Sequence, residues 1–327
     1  MLFTKIELKN FGPFKGKHIL DLQPKDGKNI ILITGLNGVG RTQFCQAIKW
    51  CLYGYDPLIQ NESKELLTWR HINRTNPQSV KTLPREPSIL DMYVRLWLQE
   101  ESDGKTKEYF IERKAVDTQI KTILKVTVDK NPCLKPSEVA QTLFPIYLSH
   151  LTFLTGYDIY SLTHDMMPLT EIIERTRVSN TQNIDLIEAE AKNIFRSLTI
   201  KPIEINKVFV DNNLEISLIY NNKIVEPTIF GTSDRSILGL SIIYGFLKTH
   251  RRDIPLIIDG LPHLDSLYDE KVLSAIPQFA DQIILTMTDM GYKRLKNGAA
   301  KDFFNHVANC YRLERNELSG NRKILRC

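Results

Sequence analysis

The alternation of apolar and polar positions near the N-terminus predicts a β-hairpin that leads into a buried strand. Residues 2–10 alternate as a half-buried strand does, and residues 18–22 follow the Gly12-Pro13 turn as the expected hairpin partner. Residues 29–34 then form a nearly continuous apolar run, which is typical of a buried parallel strand. A glycine-rich turn follows that strand, and a helical pattern runs from Thr42 to about Tyr53.

The remainder of the chain shows two different patterns. The first predicts an antiparallel meander with strands at 89–99, 109–114 and 121–129, followed by a short helix at 136–143. A longer helical stretch, broken near 178–183, covers 169–198. Strands then alternate with helices, which predicts a parallel sheet: strands at 207–210, 214–220, 255–259 and 282–286, and helices at 233–249, 268–276 and from about 289. The expected fold is therefore a mixed α/β fold.

Composition narrows the class of protein only slightly. The chain has 327 residues, of which 42% are hydrophobic and 25% charged, as in an ordinary globular protein. Its apolar runs are shorter than the roughly 18 residues that cross a bilayer, so no membrane contact is expected. Five cysteines without close pairs, and no signal-peptide pattern, indicate a cytoplasmic location. The net charge of +5 permits contact with nucleic acid but does not require it.

A candidate phosphate-binding loop joins the buried strand to the first helix. Glycines in such a loop let backbone N–H groups turn towards phosphate oxygens, and the helix N-terminus adds its positive dipole end. The sequence differs from the regular pattern G-x-x-x-x-G-K-[ST] at one position, where Arg41 replaces lysine. The alternative is a glycine turn without a ligand. The expected nucleotide-binding residues are Gly35, Asn37, Gly38, Val39, Gly40, Arg41, Thr42 and Gln43.

Two positions of this candidate site are expected to hold Mg²⁺. The Thr42 hydroxyl stands where such loops place a metal ligand, and Asp259 closes an apolar strand that would lie in the same sheet. Arginine can bind phosphate, but its planar fork is wider than a lysine ammonium, which weakens the case for fast phosphoryl transfer. Gly260 occupies the position at which ATPases of this class usually carry a glutamate, so no catalytic base is expected there.

Beyond these single positions, the sequence resembles the head of SMC-like ABC-type ATPases. The resemblance spans residue 2 to about residue 290 and is specific at its two ends but loose in the middle. It rests on residues 5–14, 35–42 and 47–54 at one end and on 253–259 and 283–289 at the other. It is most similar to the DndD family, the ATPases associated with DNA phosphorothioation. The resemblance implies a P-loop NTPase of the ABC/SMC head type, with a mixed sheet and an antiparallel meander lobe. It also implies ATP and Mg²⁺ as cofactors.

The resemblance further implies a division into three parts. The first, 1–160, is an N-terminal lobe with the phosphate loop. The second, 161–202, is a helical arm that stands in place of the family's long coiled coil. The third, 203–327, is a C-terminal lobe that packs with the first as one head and carries the signature, Walker B and D-loop segments.

Departures from the family pattern favour a degenerate head. Where the family has its LS-x-GE signature, this chain reads Phe230 to Arg235, so Gly231 offers no hydroxyl and Ser233 has a different offset. Asp234 and the D-loop residue Asp265 complete the implied interface with a second head. Each altered position removes transition-state stabilisation that an active head would supply.

Two functional hypotheses follow. The favoured one is a pseudo-ATPase that binds nucleotide weakly, hydrolyses little or none, and serves as a structural or regulatory subunit of a DNA-modification or phage-defence complex. The alternative is an active ATPase head that dimerises around ATP to drive DNA phosphorothioation or DNA repair. A nuclease with its own metal cluster is disfavoured, because carboxylates and histidines do not cluster in the sequence.

Partners follow from the same resemblance. The chain is expected to form a homodimer or a heteromeric complex with other defence or modification proteins, and to contact double-stranded DNA. A basic, proline-bearing segment supplies the candidate DNA-contacting residues, although a solvated loop is the alternative: Arg70, Arg74, Lys81 and Arg85.

Overall fold

The computed structural model describes most of the chain. It covers residues 1–54, 91–102, 104–115, 122–155, 159, 181–210, 213–250, 254–261, 266–298, 300–315 and 322–327. The four predicted DNA-contacting residues, the D-loop residue Asp265 and residues 161–180 of the proposed arm lie outside these ranges.

A six-stranded antiparallel sheet forms the N-terminal lobe. Its strands are β1 (Leu2–Phe11), β2 (Phe14–Asp21), β4 (Tyr93–Ser102), β5 (Lys105–Ala115), β6 (Thr122–Val128) and β7 (Asn131–Pro132), in the order β2-β1-β4-β5-β6-β7. The predicted hairpin and meander are both present in it. The second strand of the hairpin begins at Phe14, earlier than predicted, because Phe11 already pairs with Phe14 across the turn.

A second six-stranded sheet carries the candidate site. Its order is β15-β14-β3-β13-β12-β8, and the members are β3 (Ile30–Gly35), β8 (Phe153–Thr155), β12 (Leu256–Asp259), β13 (Ile283–Thr288), β14 (Val307–Arg315) and β15 (Arg322–Arg326). All neighbouring pairs are parallel except β14 with β15. Parallel strands end at one edge, so the carboxyl ends of β3, β12 and β13 meet there.

Helices and a small third sheet complete the fold. The helices are α1 (Arg41–Tyr53), α2 (Pro136–Leu143), α3 (Ser149–Thr152), α4 (Thr181–Leu198), α5 (Thr232–His250), α6 (Ser266–Ala275) and α7 (Asp289–Asn297). The third sheet has the order β11-β10-β9, with β9 (Ile203–Val210), β10 (Asn213–Tyr220) and β11 (Lys223–Val225). Among the described residues, none of the helices is long and apolar enough to cross a membrane.

The parallel sheet separates two hydrophobic cores. Alternate residues of β3 point to opposite faces: Ile31 and Ile33 join the core under the antiparallel sheet and α1, while Ile30 and Leu32 join the core under α4 and α5. Because both faces are covered, the strand is apolar at nearly every position, as the sequence pattern indicated. The phosphate loop is therefore anchored on a strand that is buried on both sides.

One buried glutamine connects the two large sheets. Gln282, which is fully buried, precedes β13 and binds the first and second strands of the antiparallel lobe. Its Nε2 donates to the carbonyl oxygens of Phe3, at 2.7 Å, and Leu22, at 2.5 Å, and its Oε1 accepts from the Phe3 N–H at 2.7 Å. A side chain buried in this way satisfies backbone groups that would otherwise be left without these bonds.

Helix α4 lies against the core, directly on α5. Its buried face includes Ile187, Ala191 and Phe195, and its amphipathic pattern accounts for that burial. The two helices approach closely at Gly245, where an added Cβ would lie 2.5 Å from the Ile187 carbonyl oxygen. The described part of the proposed arm is thus a helix packed on the C-terminal lobe.

Several strands differ from the sequence-based expectation, most of all in the last part of the chain. Strands β8, β11, β14 and β15 were not predicted, although β14 lies next to the loop-bearing strand β3. The helix predicted from about residue 289 is present, and its cap is the Thr288 hydroxyl, which accepts from the Gly291 N–H at 3.0 Å. Asp289 forms an ion pair with Arg312 at 2.9 Å.

Candidate functional site

The glycine-rich loop turns sharply between β3 and α1. Gly38 and Gly40 have φ values of 75° and 106°, in the left-handed region that side-chain-bearing residues rarely adopt. Gly40 also lies against the β1–β2 turn, since an added Cβ would be 2.9 Å from Cγ of Pro13. Gly38 has open space around it and lies at the exposed tip of the loop. The loop therefore exposes its backbone at Gly38.

The predicted loop residues are brought together at this turn. Leu36, Asn37 and Gly38 are exposed, Val39 is buried, and Thr42 is exposed in the first turn of α1. No acidic residue occupies that first turn, so the dipole end of the helix is not neutralised there. An exposed helix N-terminus with open glycine backbone in front of it is suited to an anion.

Two arginines interact with the loop from different sides. Arg41 Nη2 donates to Asn37 Oδ1 at 3.0 Å, so the residue in the lysine position is held by the loop itself. Arg322, at the start of β15, donates from Nη2 to the Gly38 carbonyl oxygen at 3.0 Å. No motif in the sequence indicates this second arginine, because its position depends on the unpredicted pairing of β15 with β14.

Thr42 and Asp259 line one small cavity, as the metal-site prediction requires. The cavity has a volume of about 20 Å³ and lies between α1 and the ends of β8 and β12. Thr286 on β13 donates from Oγ1 to Asp259 Oδ1 at 2.8 Å, which fixes the carboxylate. In the described part of the chain, no group of three or more His, Cys, Asp or Glu residues could hold a metal ion.

One face of α1 continues the cavity away from the loop. Cys45, Gln46 and Lys49 follow Thr42 at helical spacing and line the same space. Burial raises the pKa of the Cys45 thiol well above its usual value, and the negative charge of Asp259 adds to the increase, so this thiol stays neutral. The buried Lys49 ammonium lies 5.3 Å from the centre of the Phe153 ring. Cys45, Gln46 and Lys49 were not predicted from the sequence to be part of the site. Their helical spacing from Thr42 is the signal that could have identified them.

Gly260 leaves the usual glutamate position without a side chain. It follows Asp259 directly and has a φ of 79°. An added Cβ would have open space, but any side chain there would occupy a left-handed backbone. A glutamate substitution alone would therefore be strained.

The predicted signature residues lie at the start of α5. Gly231 is exposed immediately before the helix, and Ser233 is half-buried in its first turn. Asp234 is buried and pairs with the Lys201 ammonium at 2.5 Å. The Asp234 carboxylate is therefore engaged within its own chain.

Comparisons with known proteins agree with this arrangement. A family model described as an AAA domain matches residues 5–238. Sequence comparison with curated proteins finds no match. The structure is similar to an SmcHead bound to the C-winged helix domain of ScpA, with a TM-score of 0.67 and 12% identity over 100% of this chain and 98% of that one.

Two further solved structures have the same fold. One is the SMC head domain from Thermotoga maritima, with a TM-score of 0.58 and 14% identity over 100% of this chain and 99% of the other. The other is an Smc head domain with an extended coiled coil, bound to the C-terminal domain of ScpA derived from Pyrococcus furiosus, with a TM-score of 0.63 and 12% identity over 100% and 96%.

These likenesses show the fold of an SMC-type head, a P-loop NTPase fold with mixed sheets. The matched region begins in β1, contains the glycine-rich loop with Thr42, and ends in α5, whereas Asp259 and Arg322 lie beyond it. The chain has the fold of an SMC head domain, and since the family model covers more than half of the sequence, it belongs to the AAA-domain family.

Proposed function

We propose that this chain is a degenerate ATP-binding head that acts as a structural or regulatory subunit of a DNA-modification or phage-defence complex, with weak or absent hydrolysis. The proposal rests on one observation: the glycine loop is open to a ligand, but two positions that usually take part in hydrolysis, 41 and 260, carry different residues. Arg41 binds Asn37 within the loop, and Gly260 places no side chain beyond the metal-site carboxylate. The loop therefore offers groups that can bind a nucleotide, while position 260 offers no side chain that could activate water.

The loop and its surroundings fit a Mg²⁺-bound triphosphate. The exposed backbone of residues 36–38 and the first turn of α1 would hold phosphate oxygens, with Thr42 and Asp259 at the metal. When bound, the metal would neutralise phosphate charge. Asp259 is already oriented by Thr286, so its carboxylate needs no rearrangement to serve as a ligand or to bind a metal-coordinated water.

The second candidate is an active head that dimerises around ATP to drive DNA phosphorothioation or DNA repair, the activity suggested by the resemblance to the DndD family. The active-head candidate is favoured by the position of Thr42 and Asp259, which line the same cavity. Against it stand Gly260 and the burial of Asp234 in an ion pair. A heteromeric complex could supply the missing groups from a partner head, whereas a homodimer could not.

A nucleotide-binding measurement tests the proposal. We expect ATP binding that requires Mg²⁺, and a loss of about tenfold or more in Arg41→Ala, because a charged hydrogen bond to phosphate is worth ~1.5–3 kcal/mol. Isothermal titration calorimetry with and without Mg²⁺ gives both results. The matched control is Arg326→Ala, which removes an arginine that binds Asn309 Oδ1 at 2.8 Å further along β15.

Hydrolysis distinguishes the two candidates. Steady-state turnover that disappears in Arg41→Ala but persists in Arg326→Ala would reject the pseudo-ATPase proposal and support the active head. Absence of ATP binding in the unaltered protein, with the fold intact by circular dichroism, would reject both candidates and leave a purely structural role.

A cationic surface of the antiparallel sheet supports the proposed contact with double-stranded DNA. The outer face of β1, β2, β4, β5 and β6 carries half-exposed or exposed cations and aromatic rings. Lys5 Nζ lies 3.6 Å above the Trp97 ring, and Trp97 contacts Phe110 with 5.0 Å between ring centres. The cations of this face are Lys5, Lys9, Lys17, Arg95, Lys114 and Lys125.

Two carboxylates at the centre of that face organise the cations. Glu7 pairs with Lys17 at 3.1 Å and with Arg95 at 3.0 Å, and Glu112 pairs with Arg95 on the neighbouring strand. Burial acts to raise the pKa of Glu7, but hydrogen bonds from Tyr93 and Lys17 outweigh it and the pKa lies below its usual value. The Glu7 carboxylate therefore stays ionised at neutral pH. The Lys114 and Lys125 side chains are exposed and so remain accessible to phosphates.

Charge reversal on this face tests the DNA contact. In Lys114→Glu/Lys125→Glu we expect weaker binding to any duplex sequence and a salt dependence reduced by about one unit of slope per lysine, since these cations would contact phosphates. Fluorescence anisotropy of a labelled duplex at several salt concentrations measures both quantities. Lys223→Glu on β11, which changes the net charge by about two units against about four in the double variant, is the control for charge alone. Equal affinity in all three proteins would contradict the proposed surface.

A further inference from the structure

Two cysteines face each other across the last strand pair. Strands β14 and β15 are antiparallel, and Tyr311 pairs with Arg326. The next residues outward in this register are Cys310 and Cys327, which are therefore direct cross-strand partners. The Cys327 N–H donates to the Cys310 carbonyl oxygen at 2.9 Å, so the pairing continues to this position.

This register suits a disulfide. Directly opposite residues of a hydrogen-bonded antiparallel pair have Cα atoms about 5.5 Å apart and side chains on the same face. Natural disulfides join Cα atoms roughly 4.4–6.8 Å apart, a range that includes this separation, and the two thiols are already in hydrogen-bonding contact. Both cysteines are free thiols in this structure.

The two thiols have different surroundings. Cys327 is exposed, whereas Cys310 is half-buried against the core beside Tyr292. Burial raises the pKa of the Cys310 thiol, and its hydrogen bond with Cys327 raises it further. Cys310 therefore keeps its proton, and Cys327 is the sulfur that a reagent in solution reaches first.

We propose that Cys310 and Cys327 form a reversible disulfide site that fastens β15 to β14. The site does not depend on nucleotide binding. The other described cysteines have no such arrangement, since Cys45 and Cys51 are buried in α1 and Cys133 follows the short strand β7.

A peroxide is the oxidant class that completes the reaction. The Cys327 thiolate attacks one peroxide oxygen, the O–O bond breaks, and the leaving hydroxide takes a proton to become water. The Cys310 sulfur, on losing its proton, then attacks the sulfenic sulfur of Cys327, the S–S bond forms and a second water leaves. Two thiols and one peroxide thus give one disulfide and two waters, and an added dithiol reverses the change.

The bond would fix the strand that carries Arg322. This residue contacts the glycine loop through Gly38, and its backbone N–H donates to the Pro13 carbonyl oxygen at 3.2 Å. Fastening the far end of β15 restricts sliding or release of the whole strand. The modification site is therefore connected to the loop by one short strand.

Peptide mapping of the intact protein tests the proposal. After treatment with hydrogen peroxide, digestion with a glutamyl endopeptidase cuts the chain at Glu314 and Glu317, between the two cysteines. We expect a linked pair of peptides under non-reducing conditions, which separates on reduction with dithiothreitol. The oxidised protein should also show a higher thermal midpoint that returns to the starting value on reduction.

Variants make the assignment specific. Cys133→Ser should retain the link, while Cys327→Ser, a change of an exposed side chain, should lose it along with the rise in midpoint. Circular dichroism confirms that each variant is folded. A link that instead joins two chains, a peroxide-treated protein in which both thiols are still free, or oxidation of Cys327 beyond the sulfenic state without a link would each overturn the proposal.

Discussion

Replacing Gln282 with methionine is expected to lower the free energy of unfolding by about 3 kcal/mol or more. The change keeps the side-chain length but removes three hydrogen bonds to Phe3 and Leu22 in a fully buried place. A buried backbone group that loses its partner costs roughly 1–3 kcal/mol, and three such groups are affected. Urea unfolding followed by circular dichroism measures the loss.

The control for this prediction is Gln278→Met. Gln278 lies on the same connection before β13 but is exposed, so the same chemical change should alter stability by about 0.5 kcal/mol or less. If Gln282→Met unfolds as the unaltered protein does, the glutamine does not join the two sheets in solution. A larger effect on the antiparallel lobe than on the rest would appear as a loss of two-state behaviour.

Replacing Gly245 with valine is expected to destabilise the C-terminal lobe by about 3 kcal/mol, at the upper end of typical overpacking costs. The first added atom would lie 2.5 Å from the Ile187 carbonyl oxygen and 3.3 Å from the Ala191 nitrogen. Both are backbone atoms of α4, so they cannot rotate away as a side chain can. The helices must separate, and the apolar contacts between them weaken. Thermal unfolding measures the change as a lower midpoint.

The matched control for this second prediction is Gly291→Val. Gly291 is also helical, in α7, but its added Cβ would meet only the Thr288 hydroxyl at 3.3 Å. Valine and glycine are both poor helix formers, so only a small change of about 0.5 kcal/mol is expected. Equal midpoints for the two variants would show that α4 does not pack tightly on α5.

The loop and its two flanking elements could be predicted from the sequence because their signals are local. An uninterrupted apolar run, glycines at fixed spacing and a helical repeat lie within residues 29–53, and each follows from short-range backbone and burial preferences. The same reasoning located Asp259 at the end of a buried strand. The shared cavity of Asp259 and Thr42 agrees with that placement, although it does not test metal binding itself.

The missed features depend on pairing between distant segments. Strands β14 and β15 carry many polar and charged residues, so their sequence lacks the continuous apolar pattern of the central strands. They become strands through pairing, because β14 pairs with β3 and β15 pairs with β14. The contacts of Arg322 with Gly38 and of Arg312 with Asp289 follow from that pairing, and no spacing in the sequence announces them.

The sequence by itself determined the class of fold, the loop with its arginine, and the absence of a glutamate after Asp259, because these depend on residue type and local order. The tertiary structure alone decided that Arg41 binds Asn37, that Asp234 is buried against Lys201, and that Cys310 lies opposite Cys327. The physical reason is that each of these contacts depends on side-chain direction or strand register. Both are set when the whole core packs, and neither can be read from a segment alone.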